Sequence, residues 1–323
     1  MIGALVNPRS GYVARHGVDQ VRAMLGEVVP DARIEVIQPH DDIAAWCRDL
    51  LSTGATCIAA VGGDGTIGSA AAALVDTGVP LGVIPGGTLN HFARDVGVGR
   101  DVHQALRTLA EGQAIPVDVA TVNDHVYLNN SSIGLYPAMV QLRKAEEQRL
   151  GRMRAMIRAG LIAVGRRKWS DVHIETGDHR DRVRTQLLLV ANNQFEHSLR
   201  RLGVRKSLQE GFLSCYVLDA PTRLKLIETI VPSLLRDQPD TRFFRSLRAT
   251  ELTVVPEQER EVDVSADGEV FVAKTPLVYR IRPGALQVLV PRTSASTQRG
   301  SAWRFRHSLT SRSTACRPAP IPT

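Results

Sequence analysis

The sequence has no apolar run approaching the roughly 20 residues that a membrane-spanning helix needs, although 43% of its 323 residues are hydrophobic. Its first residues, MIGALVNPRSG, lack the basic stretch and the long apolar segment of a secretory signal. The four cysteines form no C-x-x-C pair and no even framework. We therefore expect a reduced, cytoplasmic protein without structural zinc, large enough for one large or two medium domains.

Aromatic residues are scarce, at 5%, and no nucleic-acid-binding motif is present, so the net charge of +7 does not indicate a nucleic-acid partner. The charge is concentrated in two places. Residues 292–323 hold six arginines and no acid among many Ser, Thr and Pro, which predicts a disordered tail. Residues 141–168 hold nine Lys or Arg against two Glu, with apolar residues at helical spacing. This pattern predicts either a basic helix that docks on an anionic membrane or a helix packed on the protein with a solvated basic face.

Strand-like and helix-like segments alternate through residues 1–121, which predicts βαβ units and a parallel sheet in a three-layer α/β domain. From residue 122 to about 283 the chain reads as many short strands in succession, which predicts an antiparallel β-sandwich domain. We expect helices within the second domain over residues 136–165 and 222–236. Asn123-Asp124 reads as a hairpin turn at the start of that domain.

The stretch GDGTIG (63–68) matches G-x-G-x-x-G, but a dinucleotide-binding turn also needs an acid at the end of the following strand. That strand, PLGVIP (80–85), has none, and the motif also lacks the lysine of a P-loop. Glycines that admit a ligand to the backbone, followed by a helix N-terminus, still suit a phosphate group. Asp64 would then orient a Mg²⁺ ion or hydrogen-bond the loop; the alternative is a plain turn with Asp64 as helix cap.

Two further loops follow strands of the same predicted sheet. NPRSG (7–11) follows the first strand and PGGTLNHFAR (85–94) follows the fourth. Open α/β sheets bind ligands at the carboxyl ends of their strands, so three such loops predict a binding site at one sheet edge.

These three motifs, in this order and spacing, resemble the diacylglycerol kinase catalytic domain, and more narrowly the soluble bacterial lipid kinases that share it with sphingosine and ceramide kinases. The resemblance extends over about residues 1–291, through PVDVATVNDHVYLNNSSIGL, RLGVRKSLQEGFLSCYVL and ADGEV (266–270). It implies an ATP-dependent kinase that uses Mg²⁺ and phosphorylates a lipid hydroxyl at a membrane surface, most simply that of diacylglycerol. It also implies a strand returning to the first domain at about 284–291. NAD kinases share GGDGT but not PGGTLNHFA or the late Asp-Gly-Glu, and are a distant alternative.

The resemblance also implies roles for individual residues. The expected ATP-binding residues are Asn7, Ser10, Gly11, Gly62, Gly63, Asp64, Gly65, Thr66, Thr88 and Asn90. His91 is expected to be an ordinary surface imidazole. Glu269 is the expected proton acceptor, with Asp267 as its partner or as the base itself. The expected metal-site residues are Asp64, Asp118, Ser207, Glu210 and Phe212.

Some positions depart from the family pattern. Gly68-Ser69 replace an Asn-Glu pair that often follows GGDGT, and Ile37-Gln38-Pro39 stand where a nucleotide-contacting threonine is common. Glu210 replaces an aspartate in the Asp-Gly-x-Leu loop, which weakens the expected structural metal site. A sphingoid-base or ceramide kinase and a catalytically silent lipid- or nucleotide-binding module stay open as alternatives. We expect peripheral association with the inner face of the membrane, and the sequence leaves a homodimer open.

Overall fold

The computed structural model describes residues 1–166, 170–177, 179–195, 205, 207–218 and 244–292. The strands are β1 (Ile2–Val6), β2 (Arg33–Val36), β3 (Cys57–Gly62), β4 (Leu81–Pro85), β5 (Gln113–Val122), β6 (His125–Tyr127), β7 (Asn130–Gly134), β8 (Ser170–Thr176), β9 (His179–Thr185), β10 (Leu187–Asn192), β11 (Leu213–Leu218), β12 (Phe244–Ala249), β13 (Glu251–Pro256), β14 (Glu261–Ala266), β15 (Glu269–Lys274) and β16 (Leu277–Val290). The helices are α1 (Gly11–His16), α2 (Val18–Val28), α3 (Ile43–Ser52), α4 (Asp64–Leu74), α5 (His91–Asp95), α6 (Val102–Glu111), α7 (Leu135–Leu150) and α8 (Arg152–Arg166). None of these helices is long and apolar enough to cross a membrane.

The N-terminal part is a parallel sheet in the order β2-β1-β3-β4, with helices on both faces. Strands β1, β3 and β4 are buried almost throughout, as expected for strands covered on both sides. A Cβ atom on Gly3 would lie 2.7 Å from Leu50 of α3, and one on Gly82 would lie 2.8 Å from Leu109 of α6. The strand register puts Gly3 and Gly82 on opposite faces, so α3 and α6 form the two outer layers.

Strand β16 connects this sheet to the rest of the protein. It pairs in parallel with β4 at Val288 and Leu81, and antiparallel with β5 and β13. The resulting sheet runs β2-β1-β3-β4-β16-β13-β8-β9, with β5 against β16 and β6 against β5. A second, antiparallel sheet has the order β12-β11-β10-β7-β14-β15, and buried residues of both sheets share one apolar core.

The predicted fold class is therefore confirmed, with one difference. The first sheet is continuous across the expected boundary, because β16 extends the parallel strands into the sandwich. Residues Met1–Pro291 form one compact unit. The expected boundaries near residues 121 and 283 thus stay predictions. The expected helix at 222–236 and the tail after residue 292 lie outside the described residues.

The expected helix over residues 136–165, which includes most of the basic stretch at 141–168, is two helices. Gly151, at a φ of 74°, ends α7 and starts α8. The two helices form a hairpin, since Arg158 pairs with Glu146 at 3.1 Å and Gly160 lies against Met139. Ala155, Ala159 and Ala163 are buried at a spacing of four residues, so part of α8 packs on the protein. The side chains of Met153, Met156, Ile157, Leu161 and Val164, which were part of the predicted apolar face, lie outside the described residues.

Candidate functional site

Three loops meet at the carboxyl edge of the parallel sheet: residues 7–11, the phosphate loop (62–66), and residues 85–90. Tyr12 N donates to Gly86 O at 2.9 Å, and Gly86 N donates to Gly62 O at 2.7 Å. Asn7 N donates to Val61 O at 2.9 Å, at the entry to the phosphate loop. The sequence prediction that these loops form one site is consistent with this geometry, because neighbouring parallel strands bring their ends together.

Two glycines of the loop at residues 85–90 are required because each approaches one of the other two loops closely. A Cβ atom on Gly87 would lie 2.7 Å from Gly63 Cα, and one on Gly86 would lie 2.7 Å from Ser10 Oγ. Both distances are shorter than real Cβ contacts, so any side chain here would push the loops apart. The consequence is a surface made of backbone, which a large anionic ligand can approach closely.

The N-terminus of α4 opens at this surface without a side-chain cap. Gly63 is the N-cap residue and makes no capping hydrogen bond, and the first backbone bond of the helix is from Ile67 N to Gly63 O. The amides of Asp64, Gly65 and Thr66 precede that bond, and free amides with the helix dipole attract anions. Asp64 and Gly65 are partly exposed. The cradle therefore fits the phosphates of ATP.

Asp64 does not cap its own helix, in contrast to the plain-turn alternative. It is the first residue of α4, and its Oδ1 accepts from His91 N, the first amide of α5, at 2.7 Å. Oδ2 accepts no hydrogen bond from the described residues. One oxygen thus fixes two loops to each other, and the other oxygen fits a Mg²⁺ ion that accompanies the phosphates.

Several of the expected ATP-binding side chains hold the loops in place. Asn7 Nδ2 donates to Thr66 Oγ1 at 2.9 Å, and Ser10 Oγ donates to Asn7 O at 2.9 Å. Asn90, at a φ of 49°, accepts from Gly87 N and donates to Gly87 O, each at 2.9 Å. In contrast, Gly11 and Thr88 are exposed. Direct contacts of all these residues with a nucleotide stay predictions.

Glu269 reaches the phosphate loop from the second sheet. Strands β14 and β15 form the Asp-Gly-Glu hairpin, with Asp267 and Gly268 at its tip in positive-φ conformations. Glu269 is exposed, and its Oε1 would stand 2.6 Å from a Cβ atom on Gly65. A carboxylate from one half of the protein therefore lies on the phosphate loop of the other half.

Asp267 has a different environment, although it is only two residues away. Its carboxylate accepts three backbone hydrogen bonds, from Leu128 N at 2.6 Å, Asn129 N at 2.8 Å and Asn130 N at 3.2 Å. Burial raises the pKa of Asp267, while these amides oppose that rise. The carboxylate thus anchors the hairpin tip to the turn between β6 and β7, and only Glu269 of this pair faces the loop.

The expected metal-site residues of the second half are already paired with backbone groups. Asp118 Oδ2 accepts from Gly211 N at 2.8 Å and Oδ1 accepts from Gly284 N at 2.9 Å. Glu210 Oε2 accepts from Gln194 N at 2.9 Å, Ser207 Oγ from Gln209 N at 3.1 Å, and Phe212 O from Asn193 N at 3.0 Å. No three His, Cys, Asp or Glu side chains of the described residues group as a metal site. The structural metal expected at Glu210 and at the carbonyls of Ser207 and Phe212, and the expected place of Asp118 near the metal network, therefore stay predictions.

Two residues near the site were missed by sequence reasoning. Arg205 Nε donates to Asp95 Oδ2 at 2.8 Å, and both side chains are essentially inaccessible to solvent. Burial raises the pKa of Asp95, and the Arg205 guanidinium opposes the shift. The two residues are 110 positions apart. Arg205 lies within RLGVRKSLQEGFLSCYVL and Asp95 directly follows PGGTLNHFAR, but neither segment indicates that the two side chains pair.

Comparisons with known proteins identify two adjacent regions. Residues 2–122 match the diacylglycerol kinase catalytic domain. Residues 136–290 match the YegS C-terminal NAD kinase beta sandwich-like domain. Together the two matches cover most of the chain described above.

Similar proteins come from several bacteria. An uncharacterized protein of Synechocystis sp. is 29% identical over 74% of this chain and 55% of its own length. A probable lipid kinase, YegS-like, of Klebsiella pneumoniae is 33% identical over 36% of this chain and 40% of its own length. The chain thus spans only about half the length of these two relatives. A similarly named protein of Pseudomonas aeruginosa is 26% identical over 85% of this chain and 91% of its length. The solved structure of a diacylglycerol kinase from Bacillus anthracis has the same fold, with a TM-score of 0.65 at 18% identity over 90% of this chain and 96% of that one.

Proposed function

The chain belongs to the family that combines a diacylglycerol kinase catalytic domain with a YegS-type C-terminal domain, and on that premise we propose that it is an ATP-dependent lipid kinase. The observation that carries the proposal is the contact between Glu269 and Gly65. It puts a carboxylate beside a phosphate cradle, which is the arrangement that phosphoryl transfer to a hydroxyl group requires.

Each protein group has a defined task in this reaction. The amides at the start of α4 and the glycines of the phosphate loop would hold the triphosphate, and Asp64 would hold its metal ion. When bound, Mg-ATP supplies the phosphoryl group and neutralises its developing charge. Glu269 accepts the proton from the acceptor hydroxyl as the oxygen attacks, and its exposed position leaves room for the acceptor to approach.

Asp267 supports this step without touching the substrate. Its three hydrogen bonds to the turn at residues 128–130 fix the tip of the hairpin, and Glu269 begins the next strand. These contacts favour Glu269 as the proton acceptor and Asp267 as the residue that positions the hairpin.

Diacylglycerol is the proposed acceptor, and a sphingoid base or ceramide is the second candidate within the same reaction type. A silent lipid- or nucleotide-binding module is the candidate from another class. The intact Asp64 and Glu269, both turned toward the same cradle, favour an enzyme over a silent module.

The acceptor lies in a bilayer, so the kinase must dock at the membrane surface. The turn between α7 and α8 carries exposed Arg149 and Arg154 on either side of Gly151. Surface-near arginines are each worth roughly 1 kcal/mol at an anionic membrane. We assign the docking surface to this turn.

Purified protein incubated with γ-labelled ATP, Mg²⁺ and anionic vesicles tests the function. Separate vesicle samples carry diacylglycerol, sphingosine or ceramide, and the label is followed into extracted lipid. Label in phosphatidic acid supports the proposal, and label in a phosphorylated sphingoid base or ceramide transfers it to the second candidate. Nucleotide binding without label in any lipid would favour the silent module.

A further inference from the structure

We propose that Arg205, paired with Asp95, is a positioning residue that couples the phosphate loop to the hairpin carrying Glu269. This inference rests on the proposed function, because the hairpin is placed for catalysis. It is carried by a ring of contacts that begins at Asp64 and ends at Gly65, the next residue along the chain.

The first half of the ring runs through α5. Asp64 Oδ1 accepts from His91 N at the start of that helix. Asp95 is the last residue of the same helix, and its Oδ2 accepts from Arg205 Nε at 2.8 Å. The guanidinium of Arg205 also lies 5.8 Å from the centre of the Phe92 ring. Any shift of Arg205 would therefore move the helix that the phosphate loop is bonded to.

The second half runs through Leu128. Arg205 Nη1 donates to Leu128 O at 2.7 Å, and Leu128 N donates to Asp267 Oδ2 at 2.6 Å. Asp267 N in turn donates to Asn130 O at 2.9 Å. Glu269 follows two residues later and lies on Gly65, which closes the ring. Arg205 is the one member of this ring that bonds both to the helix of the first sheet and to the turn that holds the hairpin.

The ion pair of Asp95 and Arg205 is not well suited to stabilising the fold alone. Asp95 Oδ1 and Arg205 Nη2 are buried and have no hydrogen-bond partner among the residues that the structure describes. A buried ion pair that is only partly satisfied does not recover its desolvation cost well, and an apolar replacement of both partners is often neutral or stabilising. A role in orientation explains why two charges are placed here.

One double variant separates positioning from folding. The change Asp95→Leu with Arg205→Met removes both buried charges together. Leu128 O still accepts a hydrogen bond from Asn192 Nδ2 at 2.8 Å, so the change does not leave this carbonyl at the turn without a donor. The matched control is Glu251→Leu with Arg280→Met, an ion pair of 2.8 Å whose side chains are about half exposed.

Two readouts test the proposal. The first readout is steady-state kinetics, with ATP varied and the best lipid of the panel as acceptor. The double variant should lose about 10²-fold in kcat, because the reacting group is misplaced, and its KM for ATP should change less than about twofold. The second is hydrogen exchange of residues 128–130 and 267–269, which needs no substrate and should quicken about tenfold. Arg205→Lys keeps the positive charge but cannot hydrogen-bond to Asp95 and Leu128 at the same time. Its kcat and its exchange rates should lie between those of the double variant and the wild type. The control pair should change neither readout.

Unchanged kcat in the folded double variant, or unchanged exchange at both segments, overturns the proposal. If the double variant does not fold, the test rests on Arg205→Lys. A kcat of Arg205→Lys equal to that of the wild type would then overturn the proposal. A wild type that phosphorylates none of the lipids refutes the proposed function, whereas the exchange measurement still tests the ring.

Discussion

Glu269 Oε1 lies so close to Gly65 that a Cβ atom there would stand 2.6 Å from it. The φ of Gly65 is not positive, so a side chain at this position would conflict with the Glu269 carboxylate and not with the backbone conformation. The contact joins the first sheet to the second and brings the carboxylate that we propose as the proton acceptor onto the phosphate loop.

Gly65→Ala is expected to fold and to lose activity. The added methyl group displaces the Glu269 carboxylate, and a displacement of about 1 Å can cost about 10² in kcat. Steady-state lipid phosphorylation measures the loss. Gly68→Ala is the control, because a Cβ atom there meets nothing within 4 Å. It should keep wild-type kcat and gain up to about 1 kcal/mol in unfolding free energy from better helix propensity. Equal activity of the two variants would contradict the account.

Asp64→Asn separates the two tasks of that carboxylate. The amide oxygen can still accept from His91 N, while the negative charge for the metal ion is lost. We expect an unchanged melting temperature and a kcat reduced by about 10² to 10³, as for the loss of a major electrostatic contact. Should Asp64→Asn retain full turnover and Asp64→Ala unfold, the carboxylate would be a purely structural link.

Asp267→Asn and Glu269→Gln should differ in stability. A carboxamide at position 267 cannot satisfy three N–H donors as the Asp267 carboxylate does, so this change should lower the free energy of unfolding by about 1–3 kcal/mol. Glu269→Gln, at an exposed position, should change it by less than about 0.5 kcal/mol. Denaturant titration compares the two. A stable Asp267→Asn beside an unstable Glu269→Gln would reverse the roles assigned here.

The second half of the expected metal set can be tested without nucleotide. Because both oxygens of Asp118 bond to backbone amides, Mg²⁺ should not raise the melting temperature of the wild type by more than about 1 °C, as ligand linkage would otherwise require. Asp118→Asn should destabilise the protein equally with Mg²⁺ and with EDTA. A clear Mg²⁺-dependent stabilisation, lost in Asp118→Asn, would show that Asp118 takes part in a metal site.

Membrane docking is expected to depend on the α7–α8 turn. Arg149→Gln with Arg154→Gln should weaken sedimentation with anionic vesicles by about tenfold or more, since each arginine is worth roughly 1 kcal/mol, and high salt should have a similar effect. Arg22→Gln with Arg107→Gln removes the same charge from exposed positions on α2 and α6 and serves as the control. Equal loss in both variants would indicate a general charge effect, and deletion of residues 292–323 would then test the tail.

Patterns that are local in sequence predicted much of this protein. The alternation of buried strands and helices indicated the parallel sheet, and each loop glycine lies next to a strand end that the pattern already located. The break at Gly151 was not anticipated, because apolar spacing continues across it and a single glycine is tolerated in a helix pattern. The ion pair of Asp95 and Arg205 and the contact of Glu269 with Gly65 join residues far apart along the chain, and only the packing of the two sheets brings them together.

The most direct test of the central claim is the kcat of Glu269→Gln for transfer of labelled phosphate from ATP to the lipid acceptor. We expect a fall of about 10² to 10⁴, the range for loss of a general base. The KM for ATP should stay within about twofold of the wild-type value, because Glu269 is proposed to act on the acceptor hydroxyl and not on the nucleotide. A folded Glu269→Gln variant with kcat within about threefold of the wild type would contradict the claim that this carboxylate takes the proton.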